Sequence, residues 1–130
     1  MANGDGRRGL RILMAEDNTV NQKLVSRLLE KRGYSVVTVA DGHEALAAIE
    51  REPFDVVLMD VHMPSMGGFE ATAAIRKRER ETPVPPVRII AMTASAMKGD
   101  RERCLAAGMD GYVSKPISDK ELFETIEELV

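Results

Sequence analysis

Five short runs of aliphatic and β-branched residues punctuate the chain: LRILMA at 10–15, SVVTVA at 35–40, DVVLM at 55–59, RIIAM at 88–92 and GYVS at 111–114. The middle runs are apolar at consecutive rather than alternate positions, which marks strands covered on both faces and hence a parallel sheet flanked by helices. Between the runs, apolar residues recur at helical spacing. Val20, Leu24 and Leu28 repeat every four residues with Val25 and Leu29 beside them, predicting an amphipathic helix closed by Gly33. A second helix opens at Asp41 with Glu44 three residues on, buries Ala45, Leu46 and Ile49, and stops before Pro53. A third runs from about Gly68 to Arg78, and the TPVPPV segment at 82–87 must be a loop. A fourth covers roughly Lys98 to Ala107 and is closed by Gly108. The last opens with Ser118 and Glu121 and presents Leu122, Phe123, Ile126 and Leu129 on one face. Five β-α units with right-handed crossovers make a doubly wound (βα)5 fold of class α/β, a parallel five-stranded sheet whose ligands belong at the carboxyl ends of the strands.

Composition narrows the setting. A chain of 130 residues has room for one domain, here 9–130, preceded by a polar, disordered tail at 1–8 (MANGDGRR). Lys+Arg 18 against Asp+Glu 21 leaves a net charge of -3, without the basic footprint that direct nucleic-acid binding demands. No apolar run approaches the roughly 20 residues of a bilayer helix, so no direct membrane contact is expected. The single cysteine, Cys104, cannot form an internal disulfide, and it lies too far in sequence from His43 and His62 to suggest a zinc cluster. A reducing, cytoplasmic location follows, with Cys104 and most of the eight methionines as core filler.

The chemistry gathers just past the strands. Glu16 and Asp17 follow the first, Asp60 the third, Thr93 the fourth and Lys115 the fifth. A lone carboxylate at a strand end is ordinarily a helix cap, a lone lysine a surface residue and a lone threonine a satisfied hydroxyl. Three carboxylates at one sheet edge are another matter, because they repel unless a cation sits among them. All-oxygen ligation by few protein groups favours Mg2+, which keeps several waters and accepts a phosphate oxygen. Lys115 and Thr93 would then offer a charge and a hydroxyl to an incoming phosphoryl group.

The strings AEDN at 15–18, LMDVHMP at 58–64, AMTA at 91–94 and GYVSKP at 111–116 together resemble the response-regulator receiver domain of two-component signalling. The resemblance covers residues 10–130, and GGFEATAAIR with AMTASAMKGDRERCLAAGMDGYVSKPI is similar to receivers attached to or serving hybrid sensor histidine kinases. It implies the flavodoxin-like strand order 2-1-3-4-5. It implies further that Asp60 is the phosphoacceptor, taking a phosphoryl group from a phosphohistidine; that Glu16, Asp17, Asp60 and the backbone carbonyl of His62 hold Mg2+; and that Lys115 pairs with the phosphoryl group. Thr93 and Tyr112 would be the switch residues, and His62 and Ser95 would tune autodephosphorylation. Pro116 would follow a cis peptide. Glu16 stands where many receivers have aspartate, which makes its metal contact a water-mediated one. Gly67 replaces a frequent aspartate and should loosen the start of the third helix. The implied partner is a histidine kinase or a histidine-containing phosphotransfer domain, docking near Asn18, Asn21 and Gln22. With no effector sequence after Val130, the chain is expected to be a stand-alone receiver or a piece of a longer hybrid kinase.

Other classes fit less well. A phosphohydrolase of the haloacid-dehalogenase type usually carries an aspartate two residues past its nucleophile, where this chain has His62. A flavodoxin-like cofactor carrier wants a Ser/Thr/Gly-rich loop and stacking aromatics, whereas EDNTVN is acidic and Trp is absent. A degenerate receiver serving only as a binding module would not need Asp60, Thr93 and Lys115 together.

Overall fold

In a computed structural model that describes residues 9–94 and 98–130, every apolar run becomes a strand and every periodic stretch a helix. The tail at 1–8 and Ser95 lie outside the described residues. The order is β1 (Arg11–Ala15), α1 (Thr19–Lys31), β2 (Ser35–Val39), α2 (Gly42–Arg51), β3 (Val56–Asp60), α3 (Gly68–Glu81), β4 (Arg88–Thr93), α4 (Lys98–Ala106), β5 (Gly111–Ser114) and α5 (Asp119–Leu129). The strands form one parallel sheet in the order β2-β1-β3-β4-β5. Consecutive apolar residues mark the central strands because helices cover both faces; β3 is buried at all five positions. The edge strand β2 exposes Ser35 and Thr38.

Successive side chains of a strand go to opposite faces, so each strand feeds two cores. Ile12, Met14, Leu58 and Ile90 pack under α1 and α5 with Val25, Leu29, Leu122 and Ile126. Leu13, Val57, Met59 and Ile89 pack under α2, α3 and α4 with Ala45, Ala48, Ala71, Ile75 and the buried Cys104. Met14, Met59, Met92 and Met109 are buried filler in these layers.

The helix faces depart from the sequence reading in two places. Of the two apolar stripes on α1, the sheet takes Val25 and Leu29, while Val20 is 71% exposed and Leu24 48%. The stripes lie one residue apart, about 100° around the helix, so only one can face the core and Leu28 sits at its margin. On α2 the buried centre is Ala45 and Ala48, with Leu46 and Ile49 half-buried beside it. Small residues win that centre because α2 packs against α3; at its start a Cβ on Gly42 would meet Met66, in the loop before α3, at 2.7 Å. The third helix also runs three residues past Arg78, to Glu81, because Glu79, Arg80 and Glu81 are good helix formers and the first proline is Pro83.

Candidate functional site

The strands end where their apolar runs end, and that places the acidic residues together. Beyond Ala15 the Glu16 N–H still donates to the Val39 carbonyl at 3.0 Å, after which the chain leaves the sheet. Asn18 caps α1, its side chain accepting from the Asn21 N–H at 3.0 Å. That cap turns the Asn18 N–H back onto Glu16 Oε2, at 3.0 Å. Asp60 is the last residue of β3. The start of α3 packs on it so closely that a Cβ on Gly68 would lie 2.4 Å from the Asp60 carbonyl oxygen. Neighbouring Gly67 does not leave the helix start bare, since the Glu70 carboxylate accepts from its N–H at 3.2 Å. A Cβ there would stand 3.1 Å from the Val61 carbonyl oxygen.

Glu16, Asp17 and Asp60 each bring a carboxylate oxygen within 4.8 Å of the others. Glu16 and Asp60 are buried and Asp17 is exposed, so the cluster opens to solvent at Asp17. Lys115, just past β5, reaches in from the other side, its Nζ 2.8 Å from Glu16 Oε1 and 3.1 Å from Asp60 Oδ2. Its own N–H donates to the Thr93 carbonyl at 2.7 Å, tying the ends of β4 and β5, and the Lys115–Pro116 peptide is cis. The second oxygen of Asp60, Oδ1, accepts from the His62 N–H at 3.2 Å.

Electrostatics follow from this packing. Burial, then the charge of Glu16, pushes Asp60 up to about 6, against the pull of Lys115 and the His62 N–H. Burial would raise Glu16 as well, but its hydrogen bonds from Lys115 and Asn18 outweigh it and hold the carboxyl below its usual range. Lys115 is raised by its two acidic partners although burial opposes them. With all groups ionised, three carboxylates against one ammonium leave a formal charge of about -2 in a partly dry pocket. An oxygen-only donor set with that deficit fits a hard divalent cation.

The remaining candidates fall around this centre. Thr93 ends β4 and is 3% exposed. Tyr112 is half-buried on β5, in register with Ala91, with the Arg101 guanidinium 5.6 Å from its ring centroid. The His62 side chain is exposed; its backbone, not its imidazole, meets Asp60. Gln22, read from sequence as part of a polar docking face, donates its side-chain amide to the Glu16 carbonyl. A cavity of about 500 Å³ lined by Phe54, Arg78, Val84 and Pro86 lies at the opposite edge of the sheet, away from all of these.

Residues 12–127 match the response regulator receiver domain family. The chain is 44% identical over 119 residues, 92% of its length, to the sensor histidine kinase GacS of Pseudomonas protegens. It spans only 7% to 13% of the length of the first curated relatives it matches. Among solved structures it is similar to the receiver domain of the sensor histidine kinase PA1611 from Pseudomonas aeruginosa, which has a magnesium ion coordinated in its active site cleft. There the TM-score is 0.82 and the identity 43%, over 93% of this chain and 97% of that one. It is similar also to the receiver domain of Ssk1 from Saccharomyces cerevisiae, solved with the histidine phosphotransfer protein Ypd1. The TM-score is 0.88 and the identity 29%, over 94% of this chain and 89% of that one.

Proposed function

Because the chain belongs to the response regulator receiver domain family, we propose that it serves in a cytoplasmic phosphorelay by taking a phosphoryl group onto Asp60. The observation that carries this reading is a buried carboxylate held between the Lys115 Nζ at 3.1 Å and the His62 N–H at 3.2 Å, with an oxygen of each of two further carboxylates within 4.8 Å. With a pKa of about 6, Asp60 is ionised by roughly ten to one at pH 7 and so is a competent nucleophile. Its oxygen forms a bond to phosphorus as the bond from phosphorus to the donor imidazole breaks, and the imidazole nitrogen keeps that electron pair. Mg2+ held by Asp17 and Asp60, with the His62 carbonyl, would screen the charge on the transferring oxygens. Glu16 would act on that ion through water, with the Lys115 ammonium and the Asn18 N–H standing against its two oxygens.

Lys115 exchanges its carboxylate partner for a phosphoryl oxygen, and the Thr93 hydroxyl donates to another. A carboxylate becomes a dianionic phosphoryl group, adding about one negative charge, and the shift of Thr93 toward it opens the space into which Tyr112 turns. Tyr112 stands beside α4, so that turn remodels the surface of α4, β5 and α5. On the family resemblance, His62 and Ser95 are the residues that would tune the lifetime of the phosphorylated form. The donor is a histidine kinase or a histidine-containing phosphotransfer domain, seated on the start of α1. Asn18 there is polar, and the exposed Val20 and Leu24 give such a partner an apolar footing.

Intact mass after incubation with acetyl phosphate tests the reading. A Mg2+-dependent gain of one phosphoryl group, lost in Asp60→Asn and with a chelator, is the expected result. No gain in a folded protein with Mg2+ present would favour a receiver used only as a binding module.

A further inference from the structure

Two of the three carboxylates sit on the β1–α1 loop, yet the sheet that aims them stops at Ala15, the last residue paired with β2 and β3. Three consecutive peptide groups then set the course of the chain. The Glu16 N–H is taken by the Val39 carbonyl at 3.0 Å. The Asn18 N–H is taken by Glu16 Oε2, also at 3.0 Å. Between them, the carbonyl of Glu16 is held by the side-chain amide of Gln22, reaching back six residues from α1. A strand supplies the first contact and Glu16 itself the last. The middle one depends on a half-buried glutamine whose backbone is fixed in the first turn of α1, its N–H donating to the Asn18 carbonyl at 3.0 Å.

We propose that Gln22 is a positioning residue of the divalent-cation site: by gripping the carbonyl of the peptide that joins Glu16 to Asp17, it sets the directions in which both carboxylates leave the backbone. Rotation of that peptide changes ψ of Glu16 and φ of Asp17 together, so a loose carbonyl swings the exposed Asp17 carboxylate relative to Asp60. Mg2+ demands near-octahedral oxygens at about 2.0–2.1 Å, and a site tolerates only about 0.5 Å of misplacement. The chemistry of the side chain suits the task. A lysine or arginine could donate to the same carbonyl, but its charge would compete with the cation; a glutamate would present an acceptor to an acceptor. Glutamine donates and leaves the negative charge of the cluster intact. It acts on the metal through Glu16 and Asp17 and touches no reacting atom.

This inference rests on the cation site proposed above, and its test separates the two. Free Mn2+, followed by its electron paramagnetic resonance signal, is titrated with the full chain, with Gln22→Leu, with Lys23→Ala on the exposed neighbour, and with Asp17→Asn. A merely structural glutamine would lower the melting temperature without changing Mn2+ affinity in the folded protein. Loss of an orienting partner in a metal site typically weakens binding about 10- to 100-fold. Weakening of threefold or more in Gln22→Leu, with Lys23→Ala unchanged, is the expected result. A smaller change, with Asp17→Asn no longer binding, overturns the role of Gln22 and leaves the cation site standing. Undiminished binding by Asp17→Asn overturns the cation site and this inference with it. If Gln22→Leu does not fold, Gln22→Glu keeps the chain length, removes the donor and is read by the same threshold.

Discussion

The two ends of the sheet each carry a cluster of charged side chains, and they are built on opposite plans. At the carboxyl end, three carboxylates face one lysine and leave a formal excess of about two negative charges. At the amino end, Arg76 and Arg88 face Glu79 and Asp110, two charges of each sign. Arg76 donates from all three nitrogens of its guanidinium. Its Nε donates to the Gly108 carbonyl at 2.9 Å and one NH group to Glu79 and the Val87 carbonyl at 2.8 Å. The other NH group donates to Asp110, also at 2.8 Å. The two acids are equally engaged: Glu79 accepts from the Val87 N–H and Asp110 from the Ile89 N–H, both at 2.8 Å. This closed network ties the end of α3 to the beginnings of β4 and β5. A balanced, densely hydrogen-bonded cluster holds the fold; an unbalanced one, costly in the absence of a cation, is where we place the chemistry.

Breaking the balanced cluster should therefore have the largest effect on stability and the least on the site. Arg76→Met fills much of the same volume but strands Glu79, whose side chain is only 11% exposed, and Asp110 at 24%. Removing one partner from a half-buried network of this kind costs about 3 kcal/mol. Urea unfolding at pH 7 should show that loss, with Mn2+ affinity of the folded protein unchanged. Equal loss of stability from Lys115→Met would erase the distinction between the two ends.

The opposite sign is expected at the carboxyl end. Asp60 is raised from 3.8 to about 6 on folding, so the native protein binds the proton more tightly than the unfolded chain between those values. Stability then falls as pH rises from about 4 to 6 and stays lower above that. Glu16, whose carboxyl is lowered, works in the other direction and loses stability as pH falls, so the Asp60 contribution must be read as a difference. Without metal, Asp60→Asn should be more stable than the parent at pH 7 by about 1 to 2 kcal/mol, and the gain should vanish near pH 4. Paired urea titrations at the two pH values measure it. A variant that is less stable at pH 7 would mean that Lys115 more than compensates the crowded carboxylates.

The same contrast explains how far the sequence could be read. The carboxylates of the site were legible because each follows directly on an apolar run: DVVLM needs only one more residue to reach Asp60, and LRILMA is followed by Glu16 and Asp17. Strand ends in a parallel sheet converge, so local sequence was enough to predict a common site. The inward face of α1 was left undecided because Val20, Leu24 and Leu28 make as regular a stripe as Val25 and Leu29, and only the sheet decides between them. The amino-end network was invisible. Apart from Glu79 one turn on, the Arg76 contacts lie 11, 32 and 34 residues away along the chain, and in sequence it is one basic residue among several in RKRER. Gln22 was readable in principle, since it stands four residues after the cap Asn18, one helical turn on, where an amide can reach back over the start of the helix.

The smallest effect belongs to the rim of the balanced cluster. Arg88 stands 3.7 Å from Asp110 and is 54% exposed, so solvent screens the pair and the long side chain loses entropy in making it. Asp110 already has a better partner in Arg76 at 2.8 Å. Arg88→Ala should therefore change stability by less than about 0.5 kcal/mol, with little dependence on salt, whereas the loss in Arg76→Met should persist at high ionic strength because its partners are shielded from solvent. Measuring both variants at low and high NaCl places the boundary of the network. A loss in Arg88→Ala as large as that in Arg76→Met would mean that charge balance, rather than the hydrogen bonds of the Arg76 guanidinium, holds the amino end of the sheet together.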